Sequence, residues 1–161
     1  GKSELNFLEK IISNSIQIVN LENFEVDTKK NVIMISADYQ STLFSEAASA
    51  SFHADGWQVY SLGDMSSSID VLFDLDLQKF LTKVWKSGMG IMVIVIFSST
   101  AESMKFFAES VNSIKLKSRK NLYLAVCGDM KKNTEIKADL VEEDIQAVLQ
   151  WSQTTFESFI S

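Results

Sequence analysis

Hydrophobic positions along the chain alternate between short unbroken runs and helically spaced faces. The run Val32-Ile33-Met34-Ile35 inside Asn31 to Ser36 is the pattern of a strand buried on both faces. "GIMVIVIFSST" is the most hydrophobic segment of the chain and predicts the central strand of a covered sheet. Further strands are predicted over Gln58 to Leu62, over Asn121 to Val126 and, briefly, near Ile136. Between them the spacing predicts helices over Gln40 to Ala54, Leu77 to Lys86, Ala101 to Ile114 and Glu142 to Ile160. The first of these has Leu43, Ala47, Ala50 and Phe52 available for the core and is ended by Gly56. In the second, Phe80, Leu81, Val84 and Trp85 form one face.

Strands that alternate with helices place the chain in the α/β class, doubly wound around a parallel sheet in the Rossmann-like or flavodoxin-like manner. At the amino end, Leu5, Leu8, Ile11, Ile12 and Ile16 recur at helical spacing, so residues 1–24 read as an N-terminal helix or linker and residues 25–161 as the domain. The opening Gly1-Lys2-Ser3 reads as a junction with something longer.

A length of 161 residues suits one domain with a single sizeable core. No stretch reaches the roughly 18 apolar residues of a membrane span, and no basic-then-apolar leader opens the chain, so a cytoplasmic protein without membrane contact is expected. With 15 Lys and Arg against 21 Asp and Glu, the net charge is -6. Nucleic-acid binding would then need a local basic cluster. Lys115, Lys117, Arg119 and Lys120 are the candidate, and they read as a solvated helix end, so no direct nucleic-acid contact is expected. One cysteine, Cys127, excludes an internal disulfide and a thiolate metal cluster and fits a reducing compartment.

In a doubly wound sheet, ligands lie beyond the carboxyl ends of the strands. The loops there contain Asp38, Gln40, Ser41, Ser98, Ser99, Thr100 and Asp129, which form hydrogen bonds but include no general base poised near neutrality. Ser98 lacks the histidine and glycine elbow of a hydrolase nucleophile, and no glycine-rich phosphate loop follows the first strand. A phosphoacceptor receiver would want an Asp after the third strand, where Ser98 stands. No catalytic residue is therefore assigned. Asp38 either caps the helix that follows it or faces a ligand, and Ser98 and Thr100 have the same two readings.

Read in order, "GWQVYSLG", "IVIFSSTAESMKFF", "YLAVCGDM" and "KADLVEEDIQAVLQW" resemble the cobalamin-binding domain family. They are similar to that family's second strand with its Leu-Gly pair, its third strand with a serine turn, its fourth strand with a glycine pair, and its closing segment. The resemblance covers roughly Asn31 to Trp151 and implies a cobalamin-binding-type sandwich with a cleft at Asp38, Gln40, Ser41, Ser98, Thr100, Cys127 and Gly128. The departures matter more. The family's ligand loop reads Asp-x-His-x-x-Gly, and its histidine coordinates cobalt; aligned at Asp38, this chain has Gln40 in place of the histidine and Leu43 in place of the glycine. An amide is a poor substitute for imidazole as a metal ligand, and Leu43 would intrude where the family leaves room for the nucleotide tail. Ser-x-Leu appears as Ser98-Ser99-Thr100, and the glycine pair survives only as Cys127-Gly128 or Gly128-Asp129. No cofactor is therefore expected, and cobalamin least of all.

Haem is the alternative, because such a degenerate loop resembles the sensory variant of photosynthesis antirepressors that holds haem in place of cobalamin. The candidate axial ligands are Cys127, which otherwise reads as a small buried thiol, and His53, which is expected on the amino-terminal side of the sheet and pointing to solvent. No other metal site is expected.

Between Gly63 and Leu77 the chain carries "DMSSSIDVLFDLD", longer than the family's connection. Met65, Ile69, Val71, Leu72, Phe73 and Leu75 make it either an early start to the second helix or an interaction surface over the cleft. The expectation is a non-enzymatic sensory or regulatory module of a larger signalling or transcription-regulatory protein, contacting other domains of its own full-length chain or a regulatory protein, with homodimerisation through the insertion as an option. The alternatives are a haem or corrinoid sensor without the histidine, and a corrinoid carrier subunit of a methyltransferase, against which Gln40 argues.

Overall fold

The structure is a computed structural model that describes residues 26–70, 72–85, 89–117, 120–128 and 135–161. The two unbroken apolar runs form the centre of the sheet: β1 (Asp27–Ser36) pairs in parallel with β3 (Ile91–Phe97), from Lys30 opposite Ile91 to Ser36 opposite Phe97. Every residue of β3 is buried. β2 (Trp57–Asp64) lies outside β1, and β4 (Leu122–Cys127) and β5 (Leu140–Glu142) follow β3, giving the parallel order β2-β1-β3-β4-β5. The sheet is doubly wound, as the sequence predicts. Alternate residues of the central strands feed two cores. On one face Val32, Met34, Val93 and Val95 pack with Phe52 of α1 (Thr42–Ala54) and Phe156 of α4 (Ile145–Ile160). On the other, Ile33, Ile35, Ile94 and Ile96 pack with Leu77 and Leu81 of α2 (Phe73–Val84) and Phe107 and Val111 of α3 (Ala101–Lys115).

At the amino-terminal edge of the sheet the buried Lys30 ends in a built environment. Its Nζ donates to the Asp55 carbonyl at 2.9 Å and lies 5.3 Å from the Trp57 ring centroid and 5.6 Å from that of Phe156. The start of β1 is thereby fixed to the end of α1 and to α4.

Several expectations are corrected. The buried face of α1 is Ser45, Ala48, Ser49, Phe52 and His53, whereas Leu43, Ala47 and Ala50 face outward. Small serines meet the sheet here, so the apolar spacing of the sequence points to the wrong side of the helix. His53 follows in the same buried arc, at helical spacing from Ser45 and Ser49, and is buried rather than solvent-facing. The last strand forms at Leu140–Glu142 and not near Ile136, which instead lies partly buried against the core of the α2/α3 face. The second helix does start early, at Phe73, and the last starts at Ile145 because Asp144 caps it, accepting from the Gln146 N–H at 3.1 Å. The expected N-terminal helix, Val71, Arg119 and Asp129 lie outside the described residues. Among the described residues, no helix is long and apolar enough to cross a membrane.

Candidate functional site

At the carboxyl edge of β1 the chain leaves the sheet through Ala37, whose N–H donates to the Phe97 carbonyl at 2.8 Å, and reaches Asp38 in an extended conformation. That conformation suits an N-cap. Asp38 Oδ1 accepts from the Ser41 N–H at 3.0 Å and the Ser41 hydroxyl at 2.7 Å, which caps the short 3-10 turn Tyr39–Ser41 that leads into α1. Its second oxygen reaches across the sheet edge. Oδ2 accepts from the Ser99 N–H at 2.8 Å and lies 3.1 Å from the Ser98 hydroxyl. The Ser98 Oγ is also 2.7 Å from the Thr100 carbonyl and accepts from the Thr100 N–H at 3.1 Å, so its single proton chooses between two acceptors. Asp38 therefore staples the loop after β1 to the loop after β3, sixty residues further on. Thr100 itself is the N-cap of α3, accepting from the Ser103 N–H at 3.3 Å.

Burial alone would raise the Asp38 carboxyl, but the Ser99 N–H and the Ser41 and Ser98 hydroxyls outweigh it and hold the pKa below the ordinary carboxylate value. A depressed folded-state pKa means that the staple stabilises above the unfolded-state value near 4 and loses this contribution as pH falls through the folded-state value. Asp38→Asn is accordingly expected to cost about 2 kcal/mol at neutral pH, from loss of hydrogen bonds to a charged acceptor. In urea denaturation the gap between the two proteins should narrow at pH 3; a gap independent of pH would show that the charge contributes nothing.

The loops after β3 and β4 also touch. Gly128 lies so near Ser98 that a Cβ there would collide with the Ser98 carbonyl oxygen, and the Gly128 N–H donates to the Glu142 carbonyl at 3.0 Å. Cys127, at the end of β4, is buried. Burial and the carboxylates of Asp144, Glu142 and Glu143 push its thiol up to about 11, so it is protonated at neutral pH.

The sequence-predicted cleft residues Asp38, Ser41, Ser98 and Thr100 thus meet in one hydrogen-bonded cluster, with Cys127 and Gly128 on the next loop. Gln40 is exposed on the 3-10 turn. His53 is elsewhere: it lies eleven residues beyond the start of α1, roughly 16 Å along a helix that runs away from this edge. The insertion divides into two sets. Met65 and Phe73 are core residues, contrary to their expected place on an interaction surface: the Met65 N–H donates to the Ser36 carbonyl at 2.8 Å, and Phe73 stacks edge-on against Phe107 with centroids 4.9 Å apart. Ile69, Leu72 and Leu75 are exposed. Sequence reading missed Tyr39 and Phe44 and placed Leu43 toward the core, whereas the three are 76%, 61% and 75% exposed just after Asp38. The available signal was electrostatic: no Lys or Arg occurs between Lys30 and Lys79.

No protein-family model matches the chain, and no curated protein matches it. The fold, in contrast, has solved counterparts. It is similar to that of a cobalamin-binding protein from Desulfitobacterium hafniense DCB-2, with a TM-score of 0.61 and 14% identity, over 80% of this chain and 60% of that one. It is also similar to the Methanosarcina barkeri monomethylamine corrinoid protein, with a TM-score of 0.60 and 16% identity, over 86% of this chain and 63% of that one. The likeness at these identities is one of fold. The chain spans about three fifths of the length of each of these structures.

Proposed function

We propose that this chain is a non-enzymatic regulatory module of a larger signalling or transcription-regulatory protein, a cobalamin-binding-type sandwich whose ligand loop now binds its own neighbour. The observation that carries this reading is the Asp38 staple, with both carboxylate oxygens engaged between the loops after β1 and β3. By the sequence resemblance, Gln40 stands where the family has its cobalt-ligating histidine, and it is an exposed amide. These residues do not fit a histidine-bound corrinoid. Leu43, at the family's glycine position, is exposed and does not intrude as expected; the loop is held by hydrogen bonds instead.

Two observations weigh against a tetrapyrrole sensor. The Cys127 thiol is held protonated, a poor state for ligating haem iron, and His53 is remote from the loops.

Visible-absorption titration with hydroxocobalamin, in the dark and in light, and separately with haemin tests the proposal. No saturable spectral change is expected with either compound. A stoichiometric haem spectrum lost on Cys127→Ala or His53→Ala, or a stoichiometric corrinoid spectrum, would replace the proposal with a ligand sensor.

A further inference from the structure

We infer that the carboxyl edge of β1 and β2 is a docking face for a basic amphipathic helix of a partner protein. The inference rests on the interaction-module reading above and names the chemistry of the partner.

Two sets of exposed apolar side chains stand at this edge, at the starts of helices that pack on opposite faces of the sheet. Tyr39, Leu43 and Phe44 follow β1, and Ile69, Leu72 and Leu75 follow β2, the strand paired beside it. The hydrogen bond from the Met65 N–H to the Ser36 carbonyl ties the connection that leaves β2 to the end of β1. Together they account for six of the eleven large apolar side chains exposed among the described residues. Such a concentration marks a surface that meets a partner.

The charge around it selects the partner. No Lys or Arg occurs between Lys30 and Lys79, and Glu46, Asp64, Asp70 and Asp74 lie close in sequence to the apolar residues. The amino termini of α1 and α2 bring about half a positive charge each to this edge. Asp38 at the entry to α1 and Asp74 and Asp76 in the first turn of α2 offset them. With no Lys or Arg between Lys30 and Lys79, this excess of acidic side chains favours a cationic partner.

Neither of the occupants available within the chain supplies that charge. A second copy carries the same acidic rim and a net charge of -6. Residues 1–25 contain Lys2 and Lys10 against Glu4, Glu9, Glu22 and Glu25. The carboxyl ends of a parallel sheet offer no open ladder for an added strand, because the ladder edges run along the outer strands. Apolar side chains placed on two helix starts instead suit a helix that lays a row of anchors across them.

The test uses the whole chain and a fluorescent helical peptide about four turns long, with Leu at i, i+3, i+4 and i+7 spacing and Lys elsewhere. A counterpart carries Glu in place of Lys. In anisotropy titrations the Lys peptide is expected to bind, more weakly at high salt, and the Glu peptide not to bind. The double variants Leu43→Glu/Leu72→Glu and Glu46→Lys/Asp74→Lys are each expected to weaken binding roughly tenfold or more. Glu157→Lys, near the end of α4 at the opposite edge, controls for net charge and should leave binding within about twofold. Circular dichroism establishes that the variants fold. Absent binding, equal binding of both peptides, or equal weakening by Glu157→Lys would overturn the inference. So would a dimer in sedimentation velocity that Leu43→Glu/Leu72→Glu dissolves, because the occupant would then be a second copy. The corrinoid and haem titrations separate the two failures: silent titrations with no peptide binding remove the docking face alone, whereas a stoichiometric spectrum removes the regulatory reading.

Discussion

Gly90→Ala is expected to destabilise the protein by roughly 3 kcal/mol, the combined cost of left-handed backbone for an L side chain and of overpacking. Gly90 has a φ of 83° and enters β3 against the backbone of Lys29, where an added Cβ would overlap the Lys29 carbonyl. The neighbourhood has little freedom to retreat. Lys30 is anchored at Asp55, and the Asn31 side-chain amide donates toward the carbonyls of Thr28, Met89 and Ile91 at 3.0, 3.3 and 3.1 Å. Thermal unfolding should show a midpoint lower by roughly 10 °C. An unchanged midpoint would mean that the two strand starts separate at little cost.

Trp57→Ala is the second large effect, with an expected loss of roughly 3–5 kcal/mol, typical of truncating a buried aromatic. Trp57 is fully buried at the start of β2, edge-on to Phe52 at 5.4 Å and to Phe156 at 6.4 Å, with the Lys30 ammonium over its ring. Truncation opens a cavity and removes one aromatic wall from a buried cation. Against a total stability of about 5–15 kcal/mol, such a loss brings the urea midpoint close to unfolding in water. Trp57→Phe should cost less than half as much, because the Trp57 Nε1 finds no hydrogen-bond partner among the described residues. Equal costs for Ala and Phe would assign the stability to the indole edge and not to filled volume.

The sheet was legible in the sequence because burial on both faces leaves an unbroken signature. The runs of β1 and β3 could hardly be anything else. α1 was located but turned the wrong way. Its core face is built from Ser45, Ala48 and Ser49, whose hydroxyls and methyl carry little hydropathy, while Leu43 and Phe44 stand in solvent. Any reading that ranks Leu above Ser will rotate that helix. The same rotation misplaced His53. In the insertion, apolar content identified the segment, but only the register of the helix start separates Phe73, inward, from Leu72 and Leu75, outward. Just before it the Asp70 carboxylate accepts from the Leu72 N–H at 2.8 Å. The capping roles of Asp38 and Thr100 were readable from residue type and position. The reach of Asp38 to Ser98 and Ser99 was not, because it depends on β1 and β3 being neighbours across sixty residues.

That neighbour relation also bears on how the molecule is completed. β1 and β2 close over one intervening helix, whereas β1 and β3 pair only after the whole stretch containing α1, β2 and α2 has been looped out. Closing so long a loop carries an entropic cost before any contact offsets it, so the β1–β3 pairing is the less local of the two. The residues of the apolar edge all lie inside that loop, and the Asp38 staple spans its mouth. A nascent chain that has not yet added β3 therefore has neither the staple nor a settled edge, and the surface becomes competent only in a completed fold.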